Sequence, residues 1–251
     1  MRLFFVAFQF LTIIPLPFRI DCNREDLGRS TLFFPLVGLV IGGILVLTDI
    51  CMAPFLPRHL NDALLITLLA IITGALHLDG LADVFDGVAA RGSKERFLAI
   101  MKDSRVGAVG VVGLVLGLLL KYSALLAVPI FLKRPVLLLF PAIARFVQVV
   151  VMSGAKGART EGLGTDFLGG MNRSSFSFAA ATVIPLSWFL CHYAGIGALI
   201  SASVWGLMVR FYFTRRLGGI TGDIVGFASE TAEIAVLIKI TAITTLMMRL
   251  P

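Results

Sequence analysis

Three aspartates within one short apolar segment could bind a metal ion. In the segment HLDGLADVFDG at residues 77–87, Asp79, Asp83 and Asp86 stand at positions i, i+4 and i+7. A helix advances about 100° per residue, so this spacing places the three carboxylates within roughly 60° of its circumference. Like charges so close repel each other, and carboxylate oxygens suit Mg²⁺ or another hard cation. The spacing therefore indicates a metal site, with a solvated helix end as the alternative.

His77, at the start of this segment, could serve as a metal ligand or as a base. A single histidine beside a helix end is more often a structural residue that forms hydrogen bonds. We therefore expect His77 to form hydrogen bonds and do not include it among the ligands.

A basic segment, MKDSRVGAVG at residues 101–110, follows the aspartates. Lys102 and Arg105 can hold anionic oxygens, and Asp103 can add a metal ligand, while the glycines allow a close backbone approach. The alternative is a positively charged anchor beside the membrane, with Asp103 or Ser104 capping the next helix. The nearby aspartates favour the phosphate-binding role.

Two later polar segments could complete the site. Residues 154–175, GAKGARTEGLGTDFLGGMNRSS, combine glycines with Arg159, which fits a phosphate cradle or a flexible connection, although no Walker pattern is present. Residues 218–233 carry Asp223, Glu230 and Glu233 within about 80° of one helix face. These acids could supply a further metal ligand or a general base, or could complement a helix N-terminus.

Four basic residues stand inside apolar stretches, namely Lys121, Arg145, Arg210 and Lys239. A base at membrane depth faces a cavity or extends its charge to the interface. We predict that Arg145 and Arg210 are the ones that contact substrate.

The elements that must position these residues are membrane-spanning helices. The sequence is 58% hydrophobic, and its mean hydropathy is +0.95. Crossing the hydrocarbon core takes about 20 apolar residues. Such stretches predict an all-α polytopic membrane protein with about seven spans, near residues 31–52, 60–78, 107–129, 135–153, 176–192, 195–213 and 232–248. We interpret residues 1–251 as one membrane domain.

Residues 3–14 form a short apolar stretch that resembles no cleavable signal peptide, and we expect an interfacial or re-entrant helix there. The three cysteines show neither paired nor metal-ligand spacing. The net charge of +7 lies in short loops between spans, which membrane topology explains better than nucleic-acid binding does.

Threading the seven spans alternately through a bilayer divides the loops between two faces. Thirteen lysines and arginines fall on one face, and only four fall on the other: Arg58, Lys133, Arg134 and Arg249. An excess of such residues marks the cytoplasmic face. The same face also holds most of the acids: Asp79, Asp83, Asp86, Asp103, Glu161, Asp166, Asp223, Glu230 and Glu233. We predict an active site on the cytoplasmic side of a bacterial or archaeal inner membrane.

Carboxylates that hold hard cations, beside lysines and arginines, are suited to transferring a phosphorus group from a nucleotide diphosphate. The metal neutralises charge on the leaving nucleotide, and the basic residues hold the phosphate oxygens. Without a serine elbow or a reactive thiol, direct attack by an alcohol is the simplest mechanism. The residues alone therefore indicate a metal-dependent phosphotransferase at a membrane.

Five blocks along the chain together resemble the cobalamin synthases, also called adenosylcobinamide-GDP ribazoletransferases. They are RSTLFFPLVG at 29–38, HLDGLADVFDG at 77–87, MKDSRVGAVG at 101–110, ARTEGLG at 158–164 and GGITGDIVGFASETAE at 218–233. The resemblance implies that the 3′-hydroxyl of α-ribazole, or of its 5′-phosphate, attacks adenosylcobinamide-GDP and releases GMP. It also implies dependence on Mg²⁺.

The resemblance implies roles for individual residues as well. Asp79, Asp83 and Asp86 are expected to bind Mg²⁺, with Asp103 and Asp223 as further ligands. The expected phosphate contacts are Lys102, Arg105 and Arg159, and the expected base is Glu230 or Glu233. Membrane lipid is an expected partner, and the oligomeric state is left open, a homo-oligomer included.

Two alternatives belong to other classes. A CDP-alcohol phosphatidyltransferase would need an arginine where Asp83 stands and a later Gly-x₃-Asp-x₃-Asp, which this sequence lacks. A carrier or vitamin-uptake subunit would concentrate its functional charge near the middle of the membrane.

Overall fold

The fold is helical, as predicted. The computed structural model describes residues 1–18, 20–103, 105–159 and 162–249, apart from the side chain of Leu163. Within these ranges the chain contains no β-strand, only an isolated bridge between Gly157 and Ile220. The α-helices are α1 (Arg2–Leu11), α2 (Arg24–Ser30), α3 (Phe34–Met52), α4 (Arg58–Ile72), α5 (Leu76–Ala89), α6 (Lys94–Ile100), α7 (Ala108–Ala127), α8 (Lys133–Met152), α9 (Leu163–Gly170), α10 (Arg173–Leu217) and α11 (Gly222–Arg249).

Several of these helices are long and apolar enough to cross a membrane. Five segments qualify by length and composition: Arg24–Met52, Ala108–Ala127, Ile130–Met152, Arg173–Leu217 and Gly222–Arg249. A sixth is added if α4 and α5, which are bent by 89° at their junction, form one broken span. The protein is therefore a multi-pass membrane protein.

Helix α10 folds back on itself. Its 45 residues would extend for about 68 Å as one straight rod, roughly twice the hydrocarbon thickness of a bilayer. Instead, the backbone breaks at His192, with φ 44° and ψ −129°. A Cβ atom on Gly195 would lie only 2.1 Å from the Ser187 carbonyl oxygen, so the two halves pack against each other. These halves correspond to the predicted spans at residues 176–192 and 195–213.

The predicted span at residues 60–78 is interrupted, which corrects the sequence interpretation. Helix α4 ends at Ile72, and Gly74 and Ala75 turn the chain with φ values of 58° and 55°. Ile13 comes just after the helix predicted near the N-terminus, and its backbone N–H donates to the Ile72 carbonyl at 2.8 Å. As a result, the three aspartates lie on a separate helix, α5, and not at the inner end of a straight span.

Helix α8 lies at the centre of the bundle, because every residue from 141 to 150 is buried. It packs most closely against α3. Cβ atoms on Gly38 and Gly42 would lie 2.5 Å and 2.6 Å from the carbonyl oxygens of Pro141 and Leu137. Small residues four apart allow this kind of close helix contact inside a membrane.

Three of the four basic residues predicted on the sparsely charged face, Arg58, Lys133 and Arg134, lie together with two buried acids, Asp49 and Asp62. Lys133 Nζ is 2.7 Å from Asp49 Oδ1 and 2.5 Å from Asp62 Oδ1. Arg134 Nε is 3.0 Å from Asp49 Oδ2, and Arg58 Nε is 3.4 Å from Asp62 Oδ2. Their pairing explains how buried acids are tolerated there.

Candidate active site

One cavity collects three of the predicted site residues from different parts of the sequence. Asp79 of α5, Arg159 of the loop after α8 and Asp223 of α11 all line a space of about 210 Å³. Phe34 and Phe167 contribute apolar wall to the same cavity. An arginine and two carboxylates in one cavity with apolar walls suit the binding of an anion together with a cation.

Glycines bring α5 and α11 together and thereby place Asp79 near Asp223. A Cβ atom on Gly80 would lie 2.5 Å from the Asp223 carbonyl oxygen, and one on Gly226 would lie 3.3 Å from the His77 Cα. Larger residues at these positions would force the helices apart. The glycine beside Asp79 is therefore needed for helix packing.

Backbone pairing to the chain just before α11 holds the loop that carries Arg159. The Ala158 N–H donates to Ile220 O at 2.8 Å, and the Ile220 N–H donates to Lys156 O at 2.9 Å. This pairing brings Arg159 Nη1 to 3.3 Å from Asp223 Oδ2. The next two residues of the ARTEGLG block, Thr160 and Glu161, lie outside the described residues.

Asp83 lies close to this group of charges. It is half-buried, whereas Asp79 is exposed. Asp79, Asp86, Asp223 and Arg159 all interact electrostatically with Asp83. Several carboxylates therefore share this region with one arginine, which leaves an excess of negative charge.

Asp86 forms a contact that the sequence did not predict, with the backbone at the start of α7. Its Oδ2 accepts a hydrogen bond from the Gly107 N–H and its Oδ1 accepts one from the Gly110 N–H, both at 2.7 Å. These donors belong to the N-terminus of α7, where backbone N–H groups lack partners within the helix. Cβ atoms on Gly107 and Gly110 would lie 2.5 Å and 2.4 Å from the Asp86 carboxylate oxygens. The glycines expected to approach phosphate thus approach Asp86.

The rest of the basic segment lies at the surface. Lys102, Asp103 and Arg105 are exposed, and none of them lines the cavity. Arg105 Nη2 lies 2.8 Å from Asp103 Oδ2. Hydrogen bonds from the Arg105 side chain and backbone lower the pKa of Asp103 to about 2. The metal and phosphate contacts predicted for these residues stay predictions, and Ser104 lies outside the described residues.

Glu230 and Glu233 belong to a buried ion-paired cluster. Lys121 Nζ lies 2.5 Å from Glu230 Oε2 and 2.6 Å from Glu233 Oε2, and Arg145 pairs with Glu233 Oε1. All four side chains are at most 6% exposed, and none of these residues lines the cavity. A paired, enclosed glutamate is poorly placed to act as a base, and Arg145 does not line the cavity, so the roles predicted for these residues have no support from this placement.

Arg210 also lies away from the cavity that Asp79 lines. Its guanidinium donates to the Ser153 carbonyl oxygen, and it lines a different cavity beside α10. The predicted direct contact between Arg210 and the reacting groups has no support from this placement.

Gln148 is the site residue that the sequence analysis missed. It is buried in α8, lines the cavity, and its Nε2 lies 2.8 Å from Ser229 Oγ and 2.9 Å from His77 Nε2. This contact confirms the hydrogen-bonding role expected for His77. The available signal was the one side-chain amide in the predicted span at residues 135–153, three positions after Arg145, since polar residues in spans usually serve a function.

The carboxylates around the cavity fit a hard cation. Within the described ranges, neither Asp79 nor Asp83 forms an ion pair, and no three potential ligands lie close enough to hold a metal by themselves. Mg²⁺ usually binds through one or two carboxylates, with substrate phosphates and water completing its shell. Asp79 and Asp223, with Asp83 beside them, are the residues that would hold it.

Comparisons with known proteins identify the family of the chain. The family model of cobalamin-5-phosphate synthase matches residues 3–241. An adenosylcobinamide-GDP ribazoletransferase of Geotalea daltonii is 54% identical over 243 residues, which cover 97% of this chain and 98% of the relative. A protein of the same name from Thermoanaerobacter sp. strain X514 is 37% identical, covering 93% of this chain and 94% of the relative. No solved structure matches the chain. The chain belongs to the cobalamin-5-phosphate synthase family.

Proposed function

We propose that this protein transfers the phosphocobinamide group of adenosylcobinamide-GDP to the 3′-hydroxyl of α-ribazole, or of α-ribazole 5′-phosphate, and releases GMP. The observation that carries the proposal is the meeting of Asp79, Asp223 and Arg159 in one cavity. The relatives' names supply the substrate, and the cavity offers groups of the kind that a diphosphate needs. Neither a CDP-alcohol phosphatidyltransferase nor a carrier is supported by the family.

The cavity is sized for the reacting diphosphate rather than for the whole substrate. Its volume of about 210 Å³ is below the roughly 300–1,000 Å³ of a typical site for a drug-sized molecule. A corrinoid is much larger than such a molecule. We therefore place the diphosphate inside the cavity and the corrinoid ring outside it.

Arg159 would bind a diphosphate oxygen and keep the reacting phosphorus in place. Its pairing with Asp223 at 3.3 Å fixes the guanidinium at the cavity wall. Thr221 Oγ1 donates to Asp223 Oδ2 at 3.3 Å, which orients that carboxylate. A bound Mg²⁺ would neutralise the charge on the leaving GMP. Asp79 and Asp223 would hold it together with the substrate phosphates, with Asp83 beside them, while the apolar walls exclude water.

The proposal places the cavity on the cytoplasmic side of the inner membrane of a bacterium or archaeon. The excess of lysines and arginines on the loops of that face supports this orientation.

The test is GMP release by the purified protein in lipid, supplied with adenosylcobinamide-GDP and α-ribazole. We expect turnover with Mg²⁺ and none with excess chelator. Asp79→Asn and Asp223→Asn should each lower the rate by about 100-fold or more. Asp21→Asn, an exposed position away from the cavity, is the matched control and should keep the rate. Equal rates in all three variants would contradict the proposed site.

A further inference from the structure

A second cavity lies beside α10, at the same end of the bundle as the candidate active site. Its volume is about 770 Å³, and it opens at the protein surface between α10 and the loop after α8. We call it the α10 cavity. Its charged lining residues are Lys156, Arg210 and Arg215. The Lys156 carbonyl accepts the Ile220 N–H, three residues before Asp223, which fixes its position relative to the active site.

The charged side chains that line the α10 cavity are all basic. Among the described residues that line it, none is an aspartate or a glutamate. Arg210 uses its guanidinium to donate to the Ser153 carbonyl, and Arg215 stands 4.2 Å above the ring of Phe211. Elsewhere on the same side, Arg24 and Arg159 each have a carboxylate within 3.3 Å. The lining of the α10 cavity is thus electrostatically complementary to an anion.

An apolar stripe continues from these cations along α10. Its residues occupy positions i, i+3, i+4 and i+7, which lie on one helix face. They are Val204, Leu207, Met208 and Phe211, with exposed fractions of 49%, 45%, 58% and 57%. All four line the α10 cavity, so its wall is apolar away from the cations. The occupant should therefore combine a negative charge with a hydrocarbon chain.

We propose that the α10 cavity binds an anionic phospholipid from the leaflet on the active-site side. Its phosphate would lie between Lys156, Arg210 and Arg215, and an acyl chain would follow the stripe along α10. Cations at the end of a spanning helix attract anionic headgroups, and each lysine or arginine strengthens the binding by about fivefold. The bound lipid would also stabilise the loop that positions Arg159. This site is separate from the one proposed for the reaction.

The test compares lipid binding by the full-length protein and two variants. The double variant Lys156→Gln/Arg215→Gln removes two cations from the cavity, and Arg210 is left because it supports the Ser153 backbone. Arg173→Gln is the matched control, since Arg173 is an exposed cation of α10 that does not line the cavity. Native mass spectrometry would follow titrations with phosphatidylglycerol and with phosphatidylcholine of the same chains.

We expect the unmodified protein to prefer phosphatidylglycerol, and the double variant to bind it about 30-fold more weakly. The control should change by less than about twofold, because a charge outside the cavity is screened by salt. An equal loss in the control would overturn the proposal, and so would unchanged binding by the double variant. If the double variant fails to fold, Arg215→Gln alone should lose about fivefold.

A competition arm separates a lipid from a free phosphate. Glycerol 3-phosphate carries the same charged group without acyl chains. We expect it not to displace phosphatidylglycerol at equal concentration, because the stripe contributes to binding. Full displacement would show a site for small anions and would overturn the lipid assignment. GMP release does not enter this test, so its outcome is independent of the proposed reaction.

Discussion

Replacing Asp86 by asparagine should lower stability without altering the requirement for Mg²⁺. The Asp86 carboxylate accepts the N–H groups of Gly107 and Gly110, both at 2.7 Å, and so joins α5 to the N-terminus of α7. Asparagine keeps one acceptor oxygen and places an NH₂ group where the other stood. One backbone N–H would then face a second donor.

The size of the effect follows from these two bonds. A hydrogen bond to a charged group contributes about 1.5–3 kcal/mol, and a buried donor without an acceptor costs about 1–3 kcal/mol. Because Asp86 is half-buried, we expect Asp86→Asn to lower the free energy of unfolding by about 2–4 kcal/mol. Gly110→Ala should act in the same direction, since its Cβ would lie 2.4 Å from Asp86 Oδ2.

Two measurements on the same preparation decide the role of Asp86. Thermal unfolding of the protein in lipid nanodiscs reports the stability, and GMP release against Mg²⁺ concentration reports the metal requirement. We expect a lower unfolding midpoint for Asp86→Asn and an unchanged half-maximal Mg²⁺ concentration. Asp79→Asn should show the opposite pattern. Normal stability with a raised Mg²⁺ requirement would refute the capping role and restore Asp86 as a metal ligand.

Three further substitutions test the packing and the cavity. Gly195→Ala should lower the unfolding midpoint, because its Cβ would meet the Ser187 carbonyl oxygen at 2.1 Å; Gly43→Ala, with no atom within 4 Å, is the control, and equal midpoints would refute the hairpin in α10. Lys121→Met leaves buried Glu230 without its ion-pair partner and leaves Glu233 with Arg145 alone, so we expect the free energy of unfolding in denaturant to fall by about 3–5 kcal/mol. Arg159→Gln should raise the KM for adenosylcobinamide-GDP in steady-state assays while the unfolding midpoint stays unchanged; an unaltered KM would exclude Arg159 from phosphate binding.

Glycines in the polar blocks of the sequence invite an interpretation as phosphate-binding elements. Most of them instead allow one part of the chain to approach another. Gly80 lies against the Asp223 backbone, Gly219 against Lys156, and Gly110 against the Asp86 carboxylate. A missing side chain permits close approach by a ligand or by another helix equally well. The sequence therefore marks where close contacts occur but does not identify the partner.

The local pattern of the sequence was sufficient to predict the helical class, most of the spans and the face of α5 on which the aspartates lie. Hydrophobic length and the 3.6-residue period depend on near neighbours alone, so they can be counted in a single chain. Even the division of α10 was predictable, since a 45-residue apolar helix exceeds one membrane thickness.

Only the tertiary structure decided which of the charges act together. Asp79 and Asp223, 144 positions apart in the chain, share a cavity because glycines let α5 and α11 pack closely. Glu230 and Glu233, only seven and ten residues beyond Asp223, are instead enclosed by Lys121 and Arg145. A carboxylate's role depends on the group that meets it across a helix contact, and helical periodicity carries no information about that partner.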